Sequence, residues 1–167
     1  MKLLKRILLI LVILFLLVQF IPKPGKNLST ETSSADIRLM HAISPEVEAI
    51  LKSSCFDCHS NNSNYPWYSK IQPVAWFLGR HIDEGKRELN FSEFANYSLR
   101  RQFHKMEEVE ETVKDGEMPL KSYALIHRSS RLTQSQREIL IKWSVSIRDS
   151  MQLIYPADSL MRKKKAN

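Results

Sequence analysis

Residues 55–59 read Cys55-Phe56-Asp57-Cys58-His59, and both cysteines of the 167-residue chain lie inside this run. A pair of thiols three positions apart followed at once by an imidazole is the pattern of c-type haem attachment. The spacing has a physical basis. On a helical turn, positions three and four apart share a face, so two sulfurs can meet the two vinyl groups while the imidazole reaches the iron from the same side. Three other chemistries use similar residues. A Cys55–Cys58 disulfide would close so short a loop that it adds little chain-entropy stabilisation. A thioredoxin-like redox pair follows a strand, whereas residues 44–51 read Ser-Pro-Glu-Val-Glu-Ala-Ile-Leu, a helix start with Ser44 as N-cap and Pro45 at the first position. A zinc site needs further ligands with zinc spacing, and no second Cys or His pair supplies them.

An iron held by His59 has a second face, and the identity of its ligand separates electron transfer from gas or peroxide chemistry. Met118 is the leading candidate. It lies in Asp115-Gly116-Glu117-Met118-Pro119-Leu120, where Gly116 and Pro119 break the helix and fix a thioether on a loop. A soft, neutral sulfur favours the ferrous state and raises the reduction potential. His81 and His104 are the next candidates, and Met106 falls in a charged helical run where a core-facing role is expected. The aromatics Tyr65, Trp67, Tyr68 and Trp76 are expected to wall the porphyrin. Lys70, Arg80 and Arg128 are candidates to hold its propionates.

Around this motif the chain patterns as helix. Residues 74–89 place Val74, Trp76, Phe77, Leu78, His81 and Ile82 on one side, predicted buried. Thr133-Gln134-Ser135-Gln136 is a capping box opening a helix with Ile139, Leu140, Trp143, Val145 and Ile147 as its packing face. Runs of alternating β-branched residues are absent, so an all-α body is expected. With 43% hydrophobic and 26% charged residues, the chain has the make-up of one ordinary globular domain with something attached.

The attachment is at the N-terminus. Residues 7–21 are apolar apart from Gln19, follow Lys2, Lys5 and Arg6, and end at Pro22-Lys23-Pro24-Gly25. Fifteen residues cover only about 22 Å of a hydrocarbon core roughly 30 Å thick, so Leu3 and Leu4 must help if the segment spans. No small-residue cleavage site follows it, which favours an uncleaved anchor over a removed signal peptide. The basic flank then stays in the cytoplasm, and the expected location is the bacterial inner membrane, single-pass through residues 3–21, with the body facing the periplasm. The expected organisation is a signal anchor at 1–26, a flexible polar tether at 27–42, a haem-binding domain at 43–152 and a basic tail at 153–167.

The net charge of +7 resolves into the two ends. Residues 1–26 and 162–167 hold nine basic residues and no acidic ones, which leaves the body at −2. Nucleic acid is therefore not an expected partner, because counterion release requires a dense basic face on the folded domain.

Read together, the motif at the end of a first helix, the Met-Pro loop and the closing amphipathic helix resemble the class I cytochrome c pattern. Tyr65-Pro66-Trp67-Tyr68, Pro73-Val74-Ala75-Trp76, His81, Gly85, Leu89-Asn90-Phe91-Ser92, Gly116-x-Met118-Pro119, Tyr123 and His127 narrow the likeness. They resemble the bacterial haem-binding domain family of cytochrome-c-like proteins over residues 43–149. Phe94 stands where that pattern often has Trp, a change expected to alter packing only. The resemblance implies one covalent haem c on Cys55 and Cys58, with His59 as proximal ligand and Met118 as distal. The expected protein is thus an all-α cytochrome c-like monohaem domain preceded by a transmembrane helix. Its expected role is single-electron transfer with redox partner proteins of the bacterial envelope, a carrier more than a catalyst. A gas sensor or peroxidase-like protein with a labile distal site, or a haem-free thiol-disulfide oxidoreductase, are the alternatives.

Overall fold

The computed structural model describes residues 1–29 and 31–161, and every regular element among them is a helix. The basic tail at 162–167 lies outside the described residues. The core begins with α3 (Pro45–Ser54), where the Ser44 hydroxyl accepts from Val47 N–H at 3.2 Å and Pro45 occupies the first turn. Its buried face, Val47, Ile50 and Leu51, packs on α8 (Gln134–Ile154) and shares one apolar core with α6 (Leu99–Lys114). The Thr133 capping box starts α8, and Leu140, Trp143, Ile147 and Met151 recur along one face. Arg148 joins α8 to α6 by ion pairs to Glu110 at 2.6 Å and Glu107 at 3.3 Å. Between these elements lie α4 (Phe56–His59), α5 (Val74–Glu88), a 3-10 stretch at Phe91–Asn96 and the short α7 (Lys121–Ile126).

The N-terminal helix corrects the membrane expectation. α1 covers Lys2–Val18, 17 residues or about 26 Å, and no helix among the described residues is long and apolar enough to cross a membrane. A transmembrane helix in front of the domain, and with it a single-pass inner-membrane placement through residues 3–21, is not supported. The physical reason is the closing of α1 at Val18, after which Gln19, Phe20 and Ile21 N–H bond i−3 carbonyls at 3.2 Å. The Gln19 side chain bonds both the Phe15 carbonyl, from Nε2 at 3.0 Å, and the Gln72 backbone, whose N–H donates to Oε1 at 3.0 Å and whose carbonyl accepts from Nε2 at 2.9 Å. Phe20 and Ile21, counted in the apolar run, therefore fall outside the helix.

From Gln19 onward the chain is a strap rather than a free tether. The Pro22 carbonyl accepts from Trp76 Nε1 at 3.1 Å, and Pro24 sits over Gly79, where a Cβ would lie 2.7 Å from the proline ring. Asn27 is the busiest residue of the strap. Its backbone N–H donates to the Tyr65 hydroxyl at 2.7 Å, and its Nδ2 donates to the Ser60 carbonyl at 2.8 Å and the Ser63 hydroxyl at 2.9 Å. Its Oδ1 accepts from Lys86 Nζ at 2.5 Å. Ile37, on α2 (Ile37–Met40), is fully buried in the main core, and Asp36 caps that helix through Arg38 N–H. At the other end, Leu160 of α9 (Ala157–Leu160) also enters the core, so residues 157–160 are structure and not tail.

Two outcomes follow from these contacts. Asn27→Ala removes three side-chain hydrogen bonds, two to the loop after the Cys-x-x-Cys-His run and one to Lys86 of α5, and it is expected to lower unfolding free energy by about 1–3 kcal/mol in urea titration. His41, packed edge-on to Phe94 at 6.1 Å, has a buried Nε2 with no partner among the described residues, and burial lowers its pKa from 6.5. The unfolded chain then binds the proton that the folded chain resists. Its contribution to stability is full above the unfolded value and declines as pH falls through it toward the lower folded value. His41→Phe is expected to shallow the loss of stability on acidification below about pH 6.5, read by urea titration across that range.

Candidate functional site

Helix α3 ends where Cys55 adopts φ −126°, ψ −45°, and α4 restarts as a single turn. The Cys55 carbonyl accepts from Cys58 N–H at 3.2 Å and His59 N–H at 3.0 Å, which stacks the three functional side chains on one turn. That turn is pressed against α5. A Cβ on Gly85 would stand 2.7 Å from the Cys58 carbonyl oxygen, so only glycine permits the approach.

His59 Nδ1 lies 2.8 Å from the Leu89 carbonyl. A carbonyl can only accept, so Nδ1 carries the proton and the neutral ring keeps its Nε2 lone pair for a metal. Burial lowers the pKa of His59 and outweighs the carbonyls of Leu89 and Gly85, which raise it; the charge of Lys105 adds a smaller lowering. The net lowering favours neutral imidazole, the ligating form. The Cys55 thiol is pushed up to about 12, first by burial and then by Cys58, and the Cys58 thiol to about 11, by burial and Asp57. Reactive thiol pairs show the opposite, a depressed pKa. Both cysteines are free thiols.

The Met-bearing loop approaches from the other side of the chain. Gly116, at φ +71°, ends α6 in the left-handed region, and Glu117 and Met118 N–H both bond the Thr112 carbonyl, at 2.9 and 3.1 Å. Arg137 Nη1 fixes the neighbouring Val113 carbonyl at 2.8 Å. Cys55, Cys58, His59 and Met118 consequently line one cavity of about 210 Å³. It shares Cys55, His59 and Met118 with a space of about 220 Å³ walled by Leu89, Phe91, Val109 and Val113. On the Cys58 side it shares His81, Leu120 and Tyr123 with one of about 60 Å³ reaching Tyr68, Phe77 and Ile126. A larger cavity of about 600 Å³ behind the motif is walled by polar residues such as Asp36, Arg38 and Asn61, with no Cys, His or Met. The donor set therefore singles out the apolar slot.

Of the other candidates, His81 lines the slot, with Nδ1 donating to the Phe77 carbonyl at 2.7 Å. His104 is exposed and paired with Glu107 and Glu108, and Met106 is fully buried in the core. Of Tyr65, Trp67, Tyr68 and Trp76, Tyr68 reaches the slot, bonded through its hydroxyl to His127 Nε2. Trp67 is 74% exposed, while Tyr65 and Trp76 hold the strap. Val74, Trp76 and Phe77, predicted buried, are partly exposed, while Ile82, predicted buried with them, is buried alongside Ala75 and Gly79. Lys70, Arg80 and Arg128 do not line the slot; the cation that does is Lys105, buried and paired with Glu108 at 2.6 Å and Glu88 at 3.5 Å. Its helical register with Gln102, Phe103, Met106 and Val113, all buried, was the available signal.

A family model described as a haem-binding domain matches residues 13–146. The chain belongs to this haem-binding domain family. The match takes in the strap, the Cys-x-x-Cys-His turn, the Met118 loop and most of α8. No curated protein and no solved structure matches the chain significantly. The donor set fits the cofactor: a neutral imidazole, a thioether and two protonated thiols stand around an apolar slot.

Gly85→Ala tests the seating of this turn. The added methyl must displace either Cys58 or α5, and a loss of about 1–3 kcal/mol together with reduced haem content per chain is expected, measured by urea titration and haem absorbance. Gly25→Ala, with nothing within 4 Å of its Cβ, should leave both unchanged.

Proposed function

We propose that this haem-binding protein is a monohaem c-type cytochrome that passes single electrons between redox partner proteins. The observation that carries the reading is the convergence of Cys55, Cys58, His59 and Met118 on one apolar slot. Bound there, haem supplies one-electron exchange between ferric and ferrous iron. The chain supplies everything else. Cys55 and Cys58 would offer their thiols for thioether attachment, tying the cofactor to this turn. His59, oriented by Leu89, offers Nε2, and Met118 offers a sulfur that favours the reduced state. Leu89, Phe91, Val109 and Val113 keep one side of the slot dry, which strengthens local electrostatics. No substrate bond is broken in this role, and no membrane span is required for it. Raised thiol pKa values disfavour the thiol-disulfide alternative.

The full chain, produced in cells that mature c-type cytochromes, is expected to retain haem through a denaturing gel and to show a six-coordinate ferrous spectrum. Met118→Ala should abolish the sulfur-to-iron charge-transfer band and lower the reduction potential, whereas Met106→Ala should do neither. Haem lost on denaturation would refute covalent attachment. A five-coordinate ferrous form that takes up carbon monoxide freely would refute Met118 ligation and favour a sensor.

A further inference from the structure

Helix α7 follows Met118 after Pro119 and Leu120, yet none of its residues is fully buried, and Leu125 and Ile126 are exposed. Apolar packing is therefore a weak restraint on the element that continues the Met118 loop. A polar restraint takes its place. The Tyr123 hydroxyl donates to Asp57 Oδ2 at 2.5 Å. Asp57 is the residue between the two cysteines, and its other oxygen is already engaged, since Oδ1 accepts from Asn64 N–H at 2.9 Å. Its backbone carbonyl accepts from the Ser63 hydroxyl at 2.5 Å, so the acceptor is held on both sides. The Tyr123 ring is braced in turn against His127, 4.2 Å between centroids, and His127 bonds the Tyr68 hydroxyl. Tyr123 and Leu120 both line the slot on its Cys58 side.

We propose that the Tyr123–Asp57 hydrogen bond is a clasp that ties the Met118 loop to the haem-attachment turn and so sets how firmly Met118 occupies the distal position. The proposal rests on the reading of Met118 as a ligand and adds a positioning residue to it. Tyr123 touches neither iron nor sulfur in this role; it acts through the loop. Without the clasp the thioether remains, but α7 is freer to swing and an outside ligand competes better for the same position. The loss of one such bond to a charged acceptor is expected to change that competition by roughly 5- to 30-fold.

The test is imidazole titration of the ferric full-length protein, with the methionine-to-iron charge-transfer band recorded alongside. Tyr123→Phe keeps the ring and removes the donor, and is expected to bind imidazole roughly 5- to 30-fold more tightly with a weakened band. Asp57→Ala breaks the bond from the other side and gives an independent variant should Tyr123→Phe fold poorly; the same gain is expected. Asp57→Asn keeps the bond, because an amide can donate to the phenol oxygen while its carbonyl still serves Asn64, and it should stay near wild type. The double variant Tyr123→Phe with Asp57→Ala should add little to either single change. The clasp is overturned if Tyr123→Phe and Asp57→Ala stay within about twofold of wild type, the scatter of a neutral substitution. It is also overturned if Asp57→Asn behaves like Asp57→Ala, since charge and not the bond would then matter. A wild-type spectrum that Met118→Ala leaves unchanged would overturn the ligation and the clasp together. A Met118-dependent band with unchanged imidazole affinity in Tyr123→Phe overturns the clasp alone.

Discussion

The hydrogen bond from His59 Nδ1 to the Leu89 carbonyl is the constraint on which the site depends. It selects the tautomer, aims the ring and joins the Cys-x-x-Cys-His turn to the end of α5. The carbonyl is available because Leu89 leaves the helix in an extended conformation, φ −144°, ψ 123°, where its oxygen is not consumed by the next turn. Asn90 enforces that exit. Its N–H donates to the Tyr97 hydroxyl at 2.8 Å, its Oδ1 accepts from Ser92 N–H at 3.0 Å, and its Nδ2 donates to Asn61 Oδ1 at 2.8 Å. Leu89-Asn90-Phe91-Ser92 thus has a mechanical meaning. The Leu carbonyl holds the imidazole, Asn makes the turn, Phe91 packs on both Phe56 and His59, and the Ser92 hydroxyl accepts from Asn61 N–H.

The second support is steric. Gly85 lets α4 lie against α5 closely enough that Cys58 and His81 share a wall, while α5 turns its other small residue, Gly79, toward Pro24. One helix therefore receives the Cys-x-x-Cys-His turn on one flank and the strap on another. Asn27 links those two contacts, since it bonds both Lys86 of α5 and the loop that leaves α4. The family match, which begins at residue 13 inside α1, takes in the whole strap.

Local chemistry was legible in the sequence, and long-range chemistry was not. Ser44-Pro45 and the Thr133 box announce helix starts because their partners lie within three residues, and Gly116 announces a turn because only its own φ is at stake. The Cys-x-x-Cys-His spacing belongs to the same group. The strap was misread because Gln19, Asn27 and Ala35 find their partners across roughly 40 to 60 positions, at Gln72, Tyr65, Lys86 and Ala95. Composition registers residues 27–36 only as small and polar, which describes a tether and a hydrogen-bonded strap equally well. The apolar run at 7–21 failed for a different reason. Hydropathy counts Phe20 and Ile21, but after Val18 the backbone turns to i−3 bonds and leaves them outside the helix.

Helix α5 also explains why its aromatic and branched residues were expected inside and found partly outside. A helix facing a single core buries one stripe, and here that stripe is Ala75, Gly79 and Ile82. Val74, Phe77 and Leu78 instead wall the slot beside Cys58, so their exposure measures apolar surface that no other described residue covers. At about 25 cal/mol per Å², covering such surface with a flat apolar ring is favourable, and a group that binds only the folded chain stabilises it by linkage. The walls of that slot come from α3 through α7, far apart in sequence, so the ring's contacts exist only after those helices have packed. A flat apolar group seated in that slot would therefore find its full set of contacts only in the folded chain.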